Sequence, residues 1–258
     1  GSAKGGRFVE FRLREGTLVA KMTQPNAEPN YAAWTLDARA ETKTPTTRGR
    51  FETALPPEPT ITIDGPREDQ ERIDLLLGHL LSSIAPGSER AVAPMALSSA
   101  VYHGHVFWDA DIWVFPALAL LSPERARAIP AYRLRTEARA RKNAVEWWNA
   151  GGPDATGKPR ILIDRPTPPE AMVKYPWESS ESGRETATGF SRHEEHITGS
   201  VAFALRQASW LDLAPADRTD RIVADAGRYF RARADGARLR NLVSVDESHT
   251  GDDCLYTN

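Results

Sequence analysis

The stretch "REDQERIDLLLGHLLSSI", Arg67 to Ile84, decides the architecture of most of the chain. Its apolar residues recur at intervals of three and four, which places them on one face of an α-helix. Acidic residues fill its first turn, where they favour the positive end of the helix dipole. The apolar face comprises Ile73, Leu76, Leu77, Leu80, Leu81 and Ile84. The stretch therefore predicts an amphipathic helix packed against a core.

The residues before this helix follow a different period. The stretches "RFVEFRLREGTLVAKMT", residues 7–23, and "PTITIDG", residues 59–65, alternate apolar and polar side chains and contain β-branched residues. That pattern is typical of strands, and the Pro-, Gly- and Thr-rich stretch between them is typical of turns. The sequence predicts a β-rich element over residues 1–65 and a helical domain over residues 66–258.

Further helices are expected in the second region. Ser122 is a predicted N-cap, and the helix that follows it is expected to kink at Pro130. Two more helices are predicted, near His193 to Leu211 and Pro215 to Ala234. The segment over residues 151–188 has little periodicity and many prolines, as functional or disordered loops do. Strands at the front and helices behind them predict a mainly α protein with helical layers.

Composition narrows the class of partner. Of the 258 residues 40% are apolar, and 33 basic against 35 acidic side chains leave a formal charge of −2. A nearly balanced charge creates no positive electrostatic field that would attract nucleic acid or an anionic membrane. No apolar run reaches the length of about 18 residues that spans a bilayer. The single cysteine, Cys254, excludes an internal disulfide and a cysteine-built zinc site. We therefore expect a neutral molecule as the partner, and the cellular compartment stays open.

The first cluster of chemically active residues is "VYHGHVFWDADIW", residues 101–113. Imidazole and carboxylate groups together suit zinc or iron, so a metal site is one interpretation. The other interpretation is that these groups are hydrogen-bond partners around a helix start. The candidate ligands are His103, His105, Asp109 and Asp111.

The tryptophans of the same stretch indicate a different chemistry. Sugars present C–H faces that pack on aromatic rings and hydroxyl groups that bind carboxylates. Trp108 and Asp109 are adjacent and offer both surfaces. The alternative is that Trp108 and Trp113 belong to the hydrophobic core.

Three later clusters combine acidic, aromatic and imidazole groups. They are "VKYPWESSESGRE" at 173–185, "HEEHITGSVAFALRQASW" at 193–210 and "VSVDESHTGDDCLYTN" at 243–258. Each has an ordinary alternative: a solvated loop, first-turn acids of a helix, and a surface loop, respectively. The histidines of the second cluster do not have the spacing of the HExxH zinc motif. The residues of interest are Lys174, Tyr175, Trp177, Glu178, His193, Glu194, Glu195, His196, Asp246 and Glu247.

Taken in order, the clusters resemble glycoside hydrolase family 65, which contains acid trehalases, kojibiose and maltose phosphorylases and glucosylgalactosyl-hydroxylysine glucosidases. The resemblance covers about residues 61–258. The matching motifs are "GHVFWDADIW" at 104–113, "SPERARAIPAYR" at 122–133, "ARARKNA" at 138–144, "YPWESSESGRE" at 175–185, "EEHITGSVAFA" at 194–204 and "VDESHTGDDCLYTN" at 245–258.

The sequence departs from the family pattern in two places. In the last motif, Ser244, Val245 and Ser248 stand where the family has Gly, Pro and Tyr, and Asp252 and Asp253 replace paired asparagines. The connection over residues 145–169 is also longer than usual. The first difference bears on the shape of the loop around Glu247, and the second is expected to reshape the rim of the pocket.

The resemblance implies a fold and a site. The fold would be part of an (α/α)6 toroid of six helical hairpins, preceded by a β-rich element that is a remnant of a β-sandwich. Trp108 and Asp109 would hold the non-reducing glucose in a pocket at the centre, and Glu247 would be the general acid. Further substrate-binding residues are expected to be Lys174, Trp177, Glu178, Glu194 and His196. Neither a cofactor nor a metal is expected, because two carboxyl groups suffice for glycosidic cleavage.

The expected function is inverting hydrolysis of an α-linked glucoside of the trehalose, kojibiose or glucosylgalactose type. A phosphorylase of an α-glucosyl disaccharide and a non-catalytic sugar-binding subunit are the alternatives. In the family's hydrolases the base is a glutamate downstream of the "YTN" motif. We therefore expect a missing C-terminal part or a second polypeptide to complete the barrel and supply the base through a large apolar interface.

Overall fold

The computed structural model describes residues 8–14, 17–23, 30–35 and 59–251, apart from residues 97, 100, 154, 158–166, 188, 190, 235–237, 246 and 248–249. The chain forms two compact units, Gly1–Glu58 and Pro59–Asn258. Among the described residues, no helix combines the length and apolar character needed to cross a bilayer.

The first unit contains an antiparallel sheet of three strands in the order β1, β2, β3. Strand β1 (Phe8–Arg14) pairs with β2 (Thr17–Thr23), and Phe11 lies opposite Ala20. The sequence predicted these two strands. It did not predict β3 (Asn30–Thr35), which pairs with β2 and lies in the stretch interpreted as turns. Alternation of apolar and polar residues is weak in "NYAAWT", so the pairing with β2 rather than the local pattern makes it a strand.

The predicted amphipathic helix is α1 (Arg67–Ser82), which buries Leu77 and Leu81. The predicted strand over residues 59–65 does not form. Instead the Gln70 side chain donates to the carbonyl of Ile61 (2.8 Å) and accepts from the backbone N–H of Ile63 (3.0 Å). These bonds satisfy the backbone of the segment without a strand partner, and they tie it to the helical unit.

A run of short helices follows the first cluster. They are a π-helical turn (Ala110–Val114), α2 (Phe115–Leu121), α3 (Pro123–Ala126), α4 (Ala128–Arg135) and α5 (Glu137–Asn149). The run of helix is interrupted at Arg127 and at Thr136. Pro130 lies inside α4, near its start. Proline has no N–H to donate to the carbonyl four residues earlier, so the interruption expected from Pro130 lies one turn before it, at Arg127, and not at Pro130 itself.

The last two predicted helices are α6 (His196–Trp210) and α7 (Ala216–Arg233), which pack against each other. The interior of the unit lies between these helices and α2, α4 and α5. Its largest buried apolar side chains are Phe115, Leu118, Ile129, Tyr132, Met172, Tyr175, Ile197, Leu205, Ile222 and Tyr229. The result is the mainly α layered architecture that the sequence predicted.

Two short β ladders hold loops at the ends of these helices. Strand β4 (Val106–Phe107) pairs with β5 (Glu178–Ser179), so it joins segments more than 70 residues apart. Strand β6 (Leu242–Val243) pairs with β7 (Thr250–Gly251) and closes a hairpin. The first and third motif clusters meet at the β4–β5 ladder, and the last cluster occupies the hairpin.

Candidate active site

Trp108 and Asp109 lie between β4 and the π-helical turn. The Trp108 ring is 8% exposed and meets the His196 ring edge to face, with 4.8 Å between the ring centroids. Trp113 lies on the other side of Trp108, with centroids 6.1 Å apart, and is 65% exposed. The interpretation of Trp108 as a core residue is therefore partly correct, whereas the exposed Trp113 is not a core residue.

Asp109 and Asp111 have different surroundings although one residue separates them. Asp109 is half-buried, and desolvation, helped by the nearby Asp111 charge, raises its pKa. Asp111 is buried and receives both Nε (3.1 Å) and Nη2 (2.5 Å) of Arg133, a bidentate ion pair between fully buried groups. Asp111 is therefore tied to the fold, while Asp109 forms no ion pair among the described residues and stays partly accessible.

Trp177 and Glu178 are positioned by a third carboxyl group, that of Glu185. This carboxylate accepts the backbone N–H groups of Trp177 (2.9 Å), Glu178 (3.2 Å) and Ala187 (3.1 Å). Gly183 precedes it with φ +72°, where an added Cβ would lie 2.6 Å from the Cβ of Thr136. Only glycine fits that approach, so the "GRE" triplet fixes the loop against α4 and α5.

Glu178 faces His105 across the β4–β5 ladder. Its Oε1 lies 2.6 Å from the His105 Nδ1, and both side chains are mostly buried. The His105 nitrogen also lies 3.4 Å from the Thr186 hydroxyl. Such a pair orients Glu178 rather than leaving it free, so any bond from Glu178 to a sugar hydroxyl uses its second oxygen.

Glu194 is a buried carboxyl group whose surroundings strongly perturb its pKa. It lies just before α6, is 2% exposed, and neither of its oxygens has a full hydrogen-bond partner among the described residues. Burial, reinforced by the charges of Glu247, Glu185 and Asp109, raises its pKa to about 8. The Trp177 indole N–H lies near enough to oppose this rise, but it does not reach hydrogen-bond geometry. Glu194 therefore carries its proton at neutral pH.

Glu195 has a different role from its neighbour. Its carboxylate is buried, pairs with Arg233 Nε (3.1 Å) and accepts the Tyr229 hydroxyl. Arg233 Nη2 also donates to the carbonyl of Arg240 (2.7 Å), a few residues before β6. This network ties the start of α6 to α7 and to the chain that enters the hairpin of Glu247.

Glu247 lies in that hairpin. Its φ of +60° is in the left-handed region, and its N–H donates to the carbonyl of Ser244 (2.9 Å). Desolvation, with the Asp109 charge, raises the pKa of its exposed side chain. A glutamate in this backbone region is strained, as residues at functional sites frequently are. Asp246, which the sequence also singled out, lies outside the described residues.

His196 and Lys174 complete the predicted set. Burial lowers the pKa of His196 to about 4, so its ring is neutral beside Trp108 at physiological pH. The Lys174 ammonium donates to the carbonyl of Arg192 (3.1 Å) and lines a separate cavity. The substrate-binding role predicted for Lys174 stays a prediction.

The candidate site is a cluster of three carboxyl groups, those of Asp109, Glu194 and Glu247, with two tryptophan rings beside them. After desolvation, the Asp109 charge helps to raise the pKa values of both Glu194 and Glu247, and the Glu247 charge helps to raise that of Glu194. The Trp177 indole lies beside Glu194, and Trp108 precedes Asp109 in the chain. Carboxyl groups with raised pKa values next to indole rings suit donation of a proton to a sugar oxygen. Among the described residues, no three His, Cys, Asp or Glu side chains are arranged to hold a metal ion.

Several residues that hold the site together were not predicted. Arg133, Glu185 and Arg233 each bind a site segment through buried hydrogen bonds. Glu185 and Arg133 lie inside quoted motifs, which was a usable signal. No local signal marks Arg233, because its partners lie in other elements.

The helical layers, with the acidic cluster at their ends, place this chain in the class of (α/α)6 toroid proteins, of which it forms a part. The model of the glycosyl hydrolase family 65 central catalytic domain matches residues 74–153. The chain belongs to this family, as its motifs indicated.

Curated relatives of this chain are named as hydrolases and as phosphorylases. A kojibiose hydrolase of Mucilaginibacter mallensis is 30% identical over 214 residues, which is 77% of this chain and 28% of the relative. A protein-glucosylgalactosylhydroxylysine glucosidase of Gallus gallus is 30% identical over 220 residues, with the same coverage of 77% and 28%. A kojibiose phosphorylase of Halothermothrix orenii is 31% identical over 161 residues, 56% of this chain and 18% of the relative. The chain thus spans between 18% and 28% of the length of these relatives.

A solved structure supports the fold. A putative kojibiose phosphorylase from human microbiome superposes with a TM-score of 0.53 at 11% identity, over 94% of this chain and 38% of that one. At this identity the likeness concerns the fold alone.

Proposed function

We propose that this chain carries the sugar-binding and proton-donating part of an inverting hydrolase of α-linked glucosides. The observation that supports it most directly is that Asp109, Glu194 and Glu247, from three separate motifs, lie close enough for the Asp109 charge to help raise the pKa values of Glu194 and Glu247. The hydrolase names of the relatives with the widest coverage favour hydrolysis, and they suggest kojibiose-like or glucosylgalactose-like substrates.

The residues divide the work between binding and chemistry. Trp108 and Trp177 offer faces to the glucose ring, and Asp109 and Glu178 accept its hydroxyl hydrogens. Protonated Glu194 and neutral His196 supply further hydrogen-bonding groups at the pocket wall. Glu247 donates a proton to the glycosidic oxygen as the bond to the anomeric carbon breaks.

The pKa of Glu247 fits this role. An acid that is ionised at neutral pH holds no proton to give, and desolvation with the Asp109 charge shifts Glu247 in the needed direction. Substrate in the pocket would exclude more water and raise this pKa further.

The water-activating base is assigned to a part of the catalytic unit outside the described residues. We further propose that additional toroid helices, on the same polypeptide or a second one, cover the apolar side chains exposed on α1 and α6. These are Leu75, Leu76, Phe203 and Trp210. Mass spectrometry of the native protein tests a second polypeptide, since it would appear in equal amount. A monodisperse monomer of this chain alone would contradict it.

The test of the proposed function is Glu247→Gln with two substrates in the active enzyme. Hydrolysis of kojibiose should fall by about 10²- to 10⁴-fold, because the leaving oxygen needs a proton. Hydrolysis of α-glucosyl fluoride should be largely spared, because fluoride leaves without one. Equal losses on both substrates would remove Glu247 from the acid role.

A phosphorylase is the second candidate, because kojibiose phosphorylases also match this chain. A phosphorylase releases glucose 1-phosphate and needs inorganic phosphate, while a hydrolase releases glucose without it. Product analysis with and without phosphate separates the two. Glucose binding without either product would favour a non-catalytic sugar-binding subunit.

A further inference from the structure

A cavity of about 380 Å³ lies beside the proposed sugar site and does not include its acidic cluster. None of Trp108, Asp109, Glu194 and Glu247 lines it. Its volume is within the range of small-molecule sites. The walls that matter for the argument are Glu146, Trp147, Lys174, Glu185, Arg192 and His193.

The two carboxylates of the cavity already have hydrogen-bond partners. Glu146 pairs with Arg139 at 2.5 Å. Glu185 accepts three backbone N–H groups, as described above. The Glu146 charge is thus offset by an arginine, and the Glu185 oxygens are engaged by backbone donors, although the Glu185 charge itself remains. Two cations, Lys174 and Arg192, therefore face one uncompensated carboxylate.

The cations of the cavity lack such compensation. Within the described part of the chain, neither Lys174 nor Arg192 forms an ion pair; the Lys174 ammonium meets only the carbonyl of Arg192 and the Tyr229 ring. Arg192 uses its Nε on the carbonyl of Gly189, which leaves its terminal nitrogens for other partners. Burial lowers the pKa of His193, the Glu195 charge opposes this, and the charges of Lys174 and Arg192 add to the lowering, so both cations act on the His193 side of the cavity.

The remaining wall is apolar. Trp147 is buried, and its indole N–H is occupied by the carbonyl of Pro153 (3.3 Å). Pro153, Pro176 and Ala150 extend this surface. The cavity thus combines two available cations with a wall that suits a small carbon skeleton.

We infer that this cavity binds a small oxyanion, a phosphate or a carboxylate, through Lys174 and Arg192. Free inorganic phosphate and a carboxylate-bearing small molecule share this chemistry. Planar Arg donors and the Lys point charge both suit such oxygens, and the charge-assisted bonds are stronger than neutral ones. The wall shared through Pro176 and Glu185 links this site to the segment that holds Trp177 and Glu178.

The test titrates the isotopically labelled 258-residue chain with sodium phosphate and, separately, sodium glucuronate, at constant ionic strength set by chloride. NMR shifts of residues around the cavity report binding. Lys174→Met and Arg192→Met should each weaken binding about tenfold, since each removes one charge-assisted contact. Lys142→Met is the matched control, because Lys142 lies exposed on α5 outside the cavity, and it should leave the affinity unchanged.

The outcomes separate this inference from the proposed function. Saturable binding of phosphate alone, glucuronate alone or both supports an oxyanion site and identifies the source. No saturable binding of either, or equal weakening by the Lys142 and Lys174 variants, overturns it. Glucose titration of the same samples reports the acidic cluster independently, and circular dichroism confirms that each variant is folded.

Discussion

The pocket carboxyl groups and the buried ion pairs behind them come from the same two short stretches of chain. Asp109 and Glu194 belong to the acidic cluster of the candidate site, and among the described residues neither is paired with an arginine. Asp111 and Glu195 are buried and paired with Arg133 and with Arg233, respectively. Each motif therefore supplies one carboxyl group to the site and one to the scaffold that fixes the site.

The difference shows how an arginine partner decides the role of a carboxyl group. A buried carboxyl group with a bidentate arginine partner is satisfied by charge-assisted hydrogen bonds and holds two elements together, even though burial raises the pKa of Asp111. A buried carboxyl group without a cation keeps its proton and destabilises the fold when it ionises. Functional sites tolerate that cost because they need a group that can exchange a proton near neutral pH.

The largest effect is expected from breaking the Asp111 pair. Arg133→Met leaves a buried carboxylate without a partner and should lower the free energy of unfolding by about 3–5 kcal/mol. Urea unfolding followed by circular dichroism measures it. Arg135→Met on the same helix is the control, because Arg135 is exposed and should change stability little. Equal stability of the Arg133 variant and wild type would contradict the structural role of Asp111.

Glu195→Gln should have a smaller effect, about 2–3 kcal/mol, because the amide oxygen still accepts hydrogen bonds while Arg233 loses its counter-charge. The same variant should loosen the chain that enters the Glu247 hairpin, since Arg233 also holds the carbonyl of Arg240. Amide hydrogen exchange at β6 measures that loosening. Unaltered exchange in a destabilised variant would show that the network does not position the hairpin.

Glu194→Gln should act in the opposite direction and only at higher pH. The pKa of this acid is raised from 4.5 to about 8 in the fold, so wild-type stability falls as the pH rises between those values. The amide carries no charge, so at pH 8 the variant should be more stable by roughly 1–2 kcal/mol, a value reduced for water that reaches the pocket.

Urea unfolding at pH 5 and pH 8 tests this prediction for Glu194. Glu146→Gln is the control, since Glu146 is exposed and paired with Arg139. Parallel losses of stability in wild type and the Glu194 variant would mean that Glu194 is already ionised at pH 5.

The smallest effect is expected at an ion pair on the surface of α1. Arg67 and Glu71 lie 2.7 Å apart with side chains 91% and 59% exposed. Arg67→Ala should change the free energy of unfolding by less than about 0.5 kcal/mol, because water screens the pair. A loss as large as that of Arg133→Met would show that burial does not separate the two kinds of pair.

The sequence by itself determined the elements whose signals are local. The apolar period and acidic first turn of α1, the periods of α6 and α7, and the alternation of β1 and β2 each lie within one segment. The motifs also indicated the family and placed Trp108, Asp109, Glu194 and Glu247 among the residues to consider. Such signals can be interpreted from the sequence alone because they do not depend on residues distant in the chain.

Only the tertiary structure decided which of two neighbouring carboxyl groups faces the pocket. Asp109 and Asp111 are chemically equivalent in the sequence, and so are Glu194 and Glu195. Their roles follow from Arg133, 22 residues beyond Asp111, and from Arg233, 38 residues beyond Glu195. Because the environment of an ionisable group depends on what packs against it, no local pattern can assign its charge, and the fold makes that assignment.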